Sequence, residues 1–183
     1  MADNKISHFF FILLIKIDII PITMSKDKSP VTPAVRVLRE FNVQFTEHPH
    51  KYEERGGTEA SARALCIDEH LLVKTLIMED DRKNPLIVLM HGDREVSTKN
   101  LARILNVKSV HPCTPEIANK HSGYLVGGTS PFGTRKKMPI YMEETILNLP
   151  KIFINGGKRG YLVGIDPKEL VKVLKPVLVN VGI

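Results

Sequence analysis

The sequence predicts an α+β fold, in which short helices surround a mixed β-sheet, and three observations lead to this class. Short apolar runs typical of strands are interspersed with short amphipathic helices, without the regular β-α-β repeat of a doubly wound sheet. Proline and glycine clusters separate many of these segments. The 183 residues, 43% hydrophobic and 25% charged, are enough for one domain with an ordinary core.

Residues 1–23 differ from the rest of the chain. Their apolar run, residues 9–15, is interrupted soon afterwards by Lys16 and Asp18, and it is too short to span a membrane. The small-residue cleavage pattern of a signal peptide is missing. A conventional polar start follows at Met24. We therefore expect residues 1–23 to be a doubtful N-terminal extension and residues 24–183 to form a single domain without a membrane segment.

Capping signals predict where the helices begin. Thr32 before Pro33 combines an N-cap residue with proline at the first helical position, and it predicts a helix that ends near Asn42. The apolar face of this helix comprises Val35, Leu38 and Phe41. The other predicted helices are 59–65 after the N-cap Thr58, one after Ser97 with Leu101, Ile104 and Leu105 apolar, one opened by Thr114-Pro115-Glu116, and 167–174 after Asp166.

Alternating or continuous apolar runs predict the strands. Residues 71–78 and 86–90 flank a charged turn, residues 79–84, and this arrangement predicts a hairpin. Residues 43–46 alternate like a strand that His48-Pro49-His50 ends. The remaining predicted strands are 109–111, 124–126, 138–142, 152–154, 161–165 and 177–181.

The stretch from Gly127 to Gly133 is the clearest candidate for chemistry. Three glycines and a proline in seven residues exclude a helix or a paired strand, and such a loop can turn its N–H groups toward a phosphate or an oxyanion. Thr134 and Arg135 stand where a P-loop needs lysine and serine or threonine. Phe132 stands where the Gly-x-Ser-x-Gly elbow of hydrolases needs glycine, so Ser130 is a poor nucleophile. A tight surface turn is the alternative interpretation.

Two further features could converge on this loop. Lys74 lies in an otherwise apolar strand, on the face that alternation gives to Leu72, Leu76 and Met78, so it either serves a cleft or protects a sheet edge. A second glycine loop, residues 155–160, contains Lys158 and Arg159. Basic residues that follow or lie inside loops suited to anions favour contact with phosphates over a merely solvated surface. These residues are Arg135, Lys136, Lys137, Lys158 and Arg159.

The composition limits the classes of function. A net charge of +6 and a pI near 9.3 are compatible with a nucleic-acid partner, and the absence of tryptophan argues against a base-stacking platform. Cys66 and Cys113 are far apart and lack the spacing of a zinc site or a disulfide framework, which fits a reducing cytoplasm. His48 and His50 alone do not complete a ligand set, so we expect no metal and no cofactor.

Taken in order, these segments resemble the YbaK/EbsC family of aminoacyl-tRNA editing proteins, which is related to the editing domain of bacterial prolyl-tRNA synthetases. The resemblance covers the chain from about Pro33 to Leu174, and it rests on the ordered set rather than on any single motif. The segments that carry it are Thr32-Pro33-Ala34, Glu59-Ala60, Val73-Lys74-Thr75-Leu76, Gly123 to Gly133, and Gly156-Gly157-Lys158-Arg159-Gly160.

The resemblance implies a barrel-like sheet core and deacylation of mischarged tRNA, typically Cys-tRNA(Pro), with the acceptor end of tRNA as partner and a prolyl-tRNA synthetase as a further candidate. It implies that Lys74 contacts the end of the tRNA, that the Gly127–Pro131 segment holds the aminoacyl carbonyl through backbone N–H groups, and that the thiol of the substrate attacks the ester. The implied catalytic residues are Lys74, Gly127, Gly128 and Pro131. The implied substrate-binding residues are His50, Thr75, Tyr124, Thr129, Ser130, Phe132, Gly133, Asn155, Gly156 and Gly157.

Three positions depart from the pattern of the family, and they affect pocket polarity. His50 or Tyr52 stands where a tyrosine lines the pocket, Asn155 stands where a serine is common, and Leu162 stands where some members carry aspartate. The amino acid removed therefore stays open, with Ala-tRNA(Pro) as another substrate. Two other classes also stay open, namely a non-catalytic module that binds tRNA or a nucleotide, and a hydrolase of small acyl esters.

Overall fold

The computed structural model describes residues 30–183, so the predictions about residues 1–23 lie outside the described residues. The described part contains five α-helices, two 3₁₀ helices and eight strands. The helices are α1 (Pro33–Glu40), α2 (Gly57–Leu65), α3 (Thr98–Leu105), α4 (Pro115–Ser122) and α5 (Pro167–Leu174), with 3₁₀ turns at Glu69–Leu71 and Glu144–Asn148. The strands are β1 (Thr46–Pro49), β2 (Leu72–Asp80), β3 (Pro85–His91), β4 (Val110–Pro112), β5 (Ile140–Glu143), β6 (Ile152–Lys158), β7 (Tyr161–Ile165) and β8 (Val177–Val179).

All eight strands belong to one mixed sheet in the order β1-β7-β6-β2-β3-β5-β8, with β4 paired to β2 beside this path. The hairpins β2–β3 and β6–β7 are antiparallel, whereas β6 runs parallel to β2, and β5 runs parallel to both β3 and β8. The prediction of an α+β fold on a mixed sheet is therefore confirmed. The hairpin predicted from residues 71–90 is β2–β3.

The helices pack on both faces of the sheet, and the alternation along β2 shows the division. Val73 and Ile77 join the largest apolar cluster, which also contains buried residues of α1, α4 and α5. Leu72 packs with α2, and Met78 packs with α3, in two smaller clusters. Lys74 lies between Leu72 and Met78 in this alternation, so its side chain emerges between the two smaller clusters, as the sequence pattern predicts.

One edge of β2 has two different neighbours. On that edge β6 pairs only with Leu72 and Val73, and β4 pairs from Met78 to Asp80. The N–H of Cys113 donates to the Ile77 carbonyl at 3.0 Å and extends the β4 side by one bond. Between the two neighbours, the edge of β2 around Thr75 is open.

Local chemistry explains the helix starts that the sequence predicts. The Thr32 hydroxyl accepts from the N–H of Val35 at 3.1 Å and donates to the Gly156 carbonyl at 2.5 Å, so the cap also fastens α1 to β6. Ser97 and Asp166 accept hydrogen bonds from the first turns of α3 and α5. Thr114 occupies the N-cap of α4, but its side chain accepts no capping hydrogen bond from a backbone N–H of the described residues.

The prediction that Thr58 caps the second helix is wrong, because α2 begins at Gly57 with Gly56 at the N-cap. The Thr58 hydroxyl donates to Glu69 Oε1 at 2.7 Å and lies 3.1 Å from the Gly92 carbonyl. The Thr58 side chain therefore forms a long-range hydrogen bond with Glu69 instead of the N-cap bond that the local sequence predicts. Two apolar-face predictions also fail, because Phe41 and Ile104 are about half exposed, at 48% and 50%.

Strand boundaries also change around β1 and β6. The strand predicted at 43–46 is β1, three residues later, because the Val43 N–H closes the end of α1 on the Leu38 carbonyl. Pro49 is tolerated in β1 because that strand lies at the edge of the sheet. The second glycine loop, predicted at 155–160, is mostly strand, since β6 continues to Lys158 through an irregular pairing with β7.

The strand predicted at 124–126 is a turn. Gly123 ends α4 with a φ of 80°, which redirects the chain. Asn119 Nδ2 donates to the Tyr124 carbonyl at 3.0 Å, and the Tyr124 N–H donates to Ser122 Oγ at 3.1 Å. These bonds use the backbone groups that a neighbouring strand would need.

Candidate active site

A cavity of about 660 Å³ lies at the open edge of β2. Its walls come from the segment after β1, the first turns of α2, the edge of β2, the start of α4, the 126–129 turn and the β6–β7 hairpin. The predicted site residues that line it are His50, Lys74, Thr75, Gly127, Thr129, Asn155 and Arg159. The fold therefore brings Lys74, the first glycine loop and part of the second around one space.

Thr75 presents unused polar groups at this edge. The N–H of Gly92 donates to the Leu72 carbonyl at 2.7 Å on the β3 side, and the Ile77 carbonyl is bonded on the opposite side. Because backbone groups alternate along a strand, the N–H and C=O of Thr75 face the open edge. The Thr75 hydroxyl is also buried without a partner among the described residues. A buried polar group in this state favours a ligand or water beside it.

Lys74 is half-buried, and its ammonium donates to the Arg94 carbonyl at 2.5 Å. That carbonyl belongs to a loop whose next residue is fixed, because Glu95 and Ile183 exchange two backbone hydrogen bonds of 3.0 Å. Burial lowers the pKa of Lys74, and the carboxylates of Glu69, Glu95 and Asp93 partly offset this by raising it. The site therefore holds a cation that is less hydrated than a surface lysine.

The first glycine loop begins with a tight turn. The Gly128 N–H donates to the Leu125 carbonyl at 2.9 Å, φ of Gly127 is 86°, and φ of Val126 is not positive. These features define a type II turn with glycine at its third position. A Cβ on Gly127 would lie 2.7 Å from the Tyr52 hydroxyl, so both backbone conformation and space require glycine here.

The β6–β7 hairpin holds the carbonyls of this turn. Asn155 Nδ2 donates to the Gly127 carbonyl at 3.0 Å, and Arg159 Nε donates to the Val126 carbonyl at 2.9 Å. Among the described residues, the N–H groups of Gly127 and Thr129 have no hydrogen-bond partner, and both residues line the cavity. The turn can therefore present backbone donors to a carbonyl oxygen or an anion.

His50 and Ser61, which both line the cavity, form another pair. His50 Nε2 is 3.0 Å from Ser61 Oγ, and His50 Nδ1 is 3.3 Å from the His48 carbonyl. The tautomer with its proton on Nδ1 satisfies both contacts, with the serine hydroxyl donating to Nε2. This pair has the geometry of a serine and its base, although no carboxylate among residues 30–183 orients the imidazole. Ser61 is not among the residues predicted from the sequence, because an 11-residue separation carries no local signal.

Several predicted substrate-binding residues lie in the core rather than on the cavity wall. Tyr124 is 5% exposed, and its hydroxyl donates to the Phe132 carbonyl at 2.7 Å. Burial raises the pKa of Tyr124 to about 12, so the phenol stays a neutral donor. Phe132 and Ser130 are fully buried, and Ser130 Oγ is 3.4 Å from the N–H of Phe132. Pro131 is also buried outside the lining.

Four predicted glycines make close packing contacts instead. A Cβ on Gly128 would lie 2.9 Å from the backbone nitrogen of Arg159, and one on Gly133 would lie 2.9 Å from the backbone of Pro33. A Cβ on Gly156 would overlap the Tyr161 ring at 2.5 Å. Gly157 has a φ of 90°, and a Cβ there would lie 2.9 Å from the Tyr124 ring.

The basic residues form two groups. Arg135, Lys136 and Lys137 are exposed beside the C-terminal end of α4, where the N–H groups of Arg135 and Lys136 bond the carbonyls of Ser122 and His121. Burial, and then the positive charges of Lys136 and Lys120, lower the pKa of His121. Lys158 and Arg159 are both exposed on the hairpin, and Arg159 also bonds the turn and lies over the Tyr52 ring, 5.0 Å from its centroid.

Neither a metal centre nor a membrane span is found in the described part of the chain. Residues 30–183 contain no cluster of three metal-ligating side chains. Within the same range, no helix is long and apolar enough to cross a membrane.

Comparison with known proteins defines the class of this fold and site. The family described as the aminoacyl-tRNA editing domain matches residues 53–173, which is more than half of the chain, and the protein belongs to that family. The matched region contains Lys74, the glycine loop and the β6–β7 hairpin. The family predicted from the sequence is confirmed.

Particular relatives agree with this class. A protein of Enterococcus faecalis named as a Cys-tRNA(Pro)/Cys-tRNA(Cys) deacylase, EbsC, is 27% identical over 152 residues, which cover 82% of this chain and 93% of the relative. A proline–tRNA ligase of Thermodesulfovibrio yellowstonii is 28% identical over 149 residues, which cover 80% of this chain but only 24% of the ligase.

Solved structures share the fold. The hypothetical protein APE2540 superposes with a TM-score of 0.76 at 20% identity, covering 82% of this chain and 99% of that one. A crystal structure described as a trans-editing enzyme for prolyl-tRNA synthetase superposes with a TM-score of 0.70 at 21% identity, covering 83% of this chain and 98% of that one.

The lowered pKa of Lys74 leads to a direct prediction. An ordinary lysine side chain has a pKa of about 10.4. In a titration of ¹³C-labelled lysines by NMR, the Lys74 side chain should lose its proton at a lower pH than that. Glu95→Gln should lower the pKa of Lys74 further, because that carboxylate favours the ammonium. Lys74→Arg identifies the signal by removing it. A titration at or above the ordinary value would contradict the desolvated site.

Proposed function

We propose that this protein is a trans-editing deacylase that cleaves the ester bond of mischarged tRNA, with Cys-tRNA(Pro) as its substrate. The observation that carries the proposal is that one cavity is lined both by Lys74 and by a turn whose Gly127 and Thr129 N–H groups have no partner among the described residues. Membership of the editing-domain family and the name of the Enterococcus relative support the reaction class.

Each part of the cavity has a role in this proposal. Lys74 anchors the 3′ end of the tRNA, because a poorly hydrated ammonium binds a phosphate or ribose oxygen strongly. The N–H groups of Gly127 and Thr129 polarise the ester carbonyl, and they stabilise the oxyanion that forms as it is attacked. The open edge at Thr75 offers a backbone donor and a backbone acceptor to the aminoacyl group.

The thiol of a cysteinyl ester supplies the nucleophile in this mechanism. Its sulfur attacks the ester carbon, so a C–S bond forms while the bond from that carbon to the ribose oxygen breaks. The thiol proton passes to the ribose oxygen, tRNA leaves with a free hydroxyl, and the amino acid leaves as a cyclic thioester. Editing of Ala-tRNA(Pro) would instead require attack by water, because the alanine side chain is a methyl group and carries no nucleophile.

The tRNA itself is bound in the proposal by Arg135, Lys136 and Lys137 beside α4, and by Lys158 on the hairpin. These four side chains are exposed, as contact with phosphates requires. A prolyl-tRNA synthetase is the proposed source of the mischarged tRNA, because related domains form part of proline–tRNA ligases. The protein would then work where translation does, in the cytoplasm.

The His50–Ser61 pair supports a second candidate, a serine hydrolase of small acyl esters. Its serine would attack the ester while His50 accepts the proton, and an acyl-enzyme would form on Ser61. A third candidate, a module that binds tRNA without chemistry, would use Lys74 and the basic residues for affinity alone. The three candidates differ in which substitutions should lower the deacylation rate and which should lower only the affinity for tRNA.

The deacylation rate of Cys-tRNA(Pro) should separate these mechanisms under single-turnover conditions. Gly127→Ala disturbs the turn, and losing one such donor usually costs roughly 2.7–4 kcal/mol, on the order of a hundred- to a thousandfold in rate. Lys74→Ala should also lose most of the rate, and circular dichroism should show that both variants are folded. Ser61→Ala and Ser130→Ala should keep substantial activity.

Two results would overturn the proposed mechanism. The first is a Ser61→Ala variant as inactive as Lys74→Ala, or an acyl group trapped on Ser61, which would establish the serine hydrolase. The second is a Lys74→Ala variant that weakens tRNA binding but leaves the rate at saturation unchanged, which would assign Lys74 to affinity alone.

Salt dependence should test the phosphate contacts. Neutralising Lys136 and Lys137 together, as Lys136→Gln/Lys137→Gln, should weaken tRNA binding and reduce the slope of log K against log salt by about 0.7–0.9 for each lost contact. Thermal stability should change little, because both side chains are exposed and form no described ion pair. The matched control is Lys168→Gln/Lys175→Gln near α5, and an equal slope in both double variants would exclude these contacts.

A further inference from the structure

The central peptide of the type II turn, between Val126 and Gly127, can adopt two orientations. Types I and II of a β-turn differ mainly by a flip of this peptide, which exchanges the directions of its C=O and its N–H. In a trans peptide the two groups point in opposite directions. The orientation therefore decides whether the turn offers the donor of Gly127 or the acceptor of Val126 on a given side.

Only one side chain holds this peptide among the described residues. Arg159 Nε donates to the Val126 carbonyl at 2.9 Å, across 33 residues of sequence. The N–H of Gly127 is on the opposite side of the same peptide, and it has no partner among residues 30–183. The exposed Arg159 guanidinium also lies over the Tyr52 ring, 5.0 Å from its centroid, and this contact favours the same side-chain position.

We propose that Arg159 is a positioning residue, which holds the Val126–Gly127 peptide so that the Gly127 N–H stays available to the ester carbonyl of the substrate. This inference rests on the proposed function, and it gives Arg159 a role other than the phosphate contact that its place in a basic glycine-rich segment predicts. Without Arg159, the flipped peptide would present the Val126 carbonyl to the developing oxyanion, and the two negative oxygens would repel each other. Asn155 supports the turn through the next carbonyl, that of Gly127.

Two substitutions separate the bond from the charge. In glutamine, Nε2 follows Cδ as Nε does in arginine, so Arg159→Gln can keep a donor at the same distance along the side chain while losing the charge. Lysine has a methylene at that place, so Arg159→Lys keeps the charge and loses the donor. Arg159→Met loses both. Lys168→Gln is the control, because Lys168 is exposed, lies outside the proposed site and forms no side-chain hydrogen bond among the described residues.

The rate and the salt dependence should then move independently. If Arg159 positions the peptide, Arg159→Gln should keep most of the single-turnover rate, while Arg159→Lys and Arg159→Met should lose at least about tenfold, a part of the hundredfold or more that a lost oxyanion donor causes. The salt slope should stay the same in Arg159→Lys and Arg159→Met. Lys168→Gln should keep the rate.

The reverse pattern would overturn the inference. Retained activity in Arg159→Lys, with lost affinity and a reduced salt slope in Arg159→Gln, would assign Arg159 to a phosphate. The ¹⁵N–¹H signal of Gly127 decides the matter without any substrate, because a flipped peptide changes its shift and its hydrogen exchange. An unchanged Gly127 signal in Arg159→Lys and Arg159→Met would contradict the proposed positioning, even if the protein deacylates no tRNA. A changed Gly127 signal in a protein that shows no deacylation would instead overturn the proposed function.

Discussion

The interrupted hydrogen-bond ladder along one edge of β2 is the constraint on which this structure depends. β6 leaves the edge after Val73, and the β4 side begins at Ile77, so a single outward-facing residue, Thr75, has no strand beside it in the part of the chain that the structure describes. A closed ladder would fill this place with backbone and leave no room for a substrate. The other edge of β2 is fully paired with β3, which keeps the interrupted strand in register.

The elements around this opening depend on one another. The β6–β7 hairpin, which leaves β2, is also the element that holds the glycine turn through Asn155 and Arg159. Gly128 lets the turn approach the hairpin backbone, since a Cβ there would lie 2.9 Å from the nitrogen of Arg159. The loop that bonds Lys74 is paired in turn with the C-terminal residues, and the buried carboxylate of Glu143 accepts the N–H groups of Val181 and Gly182 at 2.8 Å. The two sides of the site are thus fixed from different parts of the chain.

Local chemistry made part of this fold predictable from the sequence. Thr32 with Pro33 places the start of α1, and the alternation along β2 correctly assigns Lys74 to the face shared with Leu72 and Met78. The mixed sheet follows from the irregular order of strands and helices. Local chemistry also explains why Gly127 is glycine, because its position in the turn has a positive φ.

Non-local contacts made the rest unpredictable. Tyr124 follows a helix and precedes two apolar residues, which predicts a strand, but a hydrogen bond to the Phe132 carbonyl directs its ring into the core. The hydroxyl of Thr58 goes to Glu69 rather than to its own helix. Arg159 resembles a phosphate ligand in sequence, and only its bond to the Val126 carbonyl indicates another role. Hydrogen bonds between residues far apart in the sequence produce no periodic pattern from which a single sequence could predict them.

Removal of the wrong amino acid from tRNA(Pro) is the activity proposed for this cavity. Its most direct test is a deacylation panel in which tRNA(Pro) charged with cysteine, alanine or proline is mixed with the protein, and each rate is compared with spontaneous hydrolysis. We predict rapid loss of cysteine, because its thiol can attack the ester, and no acceleration for Pro-tRNA(Pro). Equal, uncatalysed rates for all three esters, or removal of the correct proline, would contradict the proposed activity.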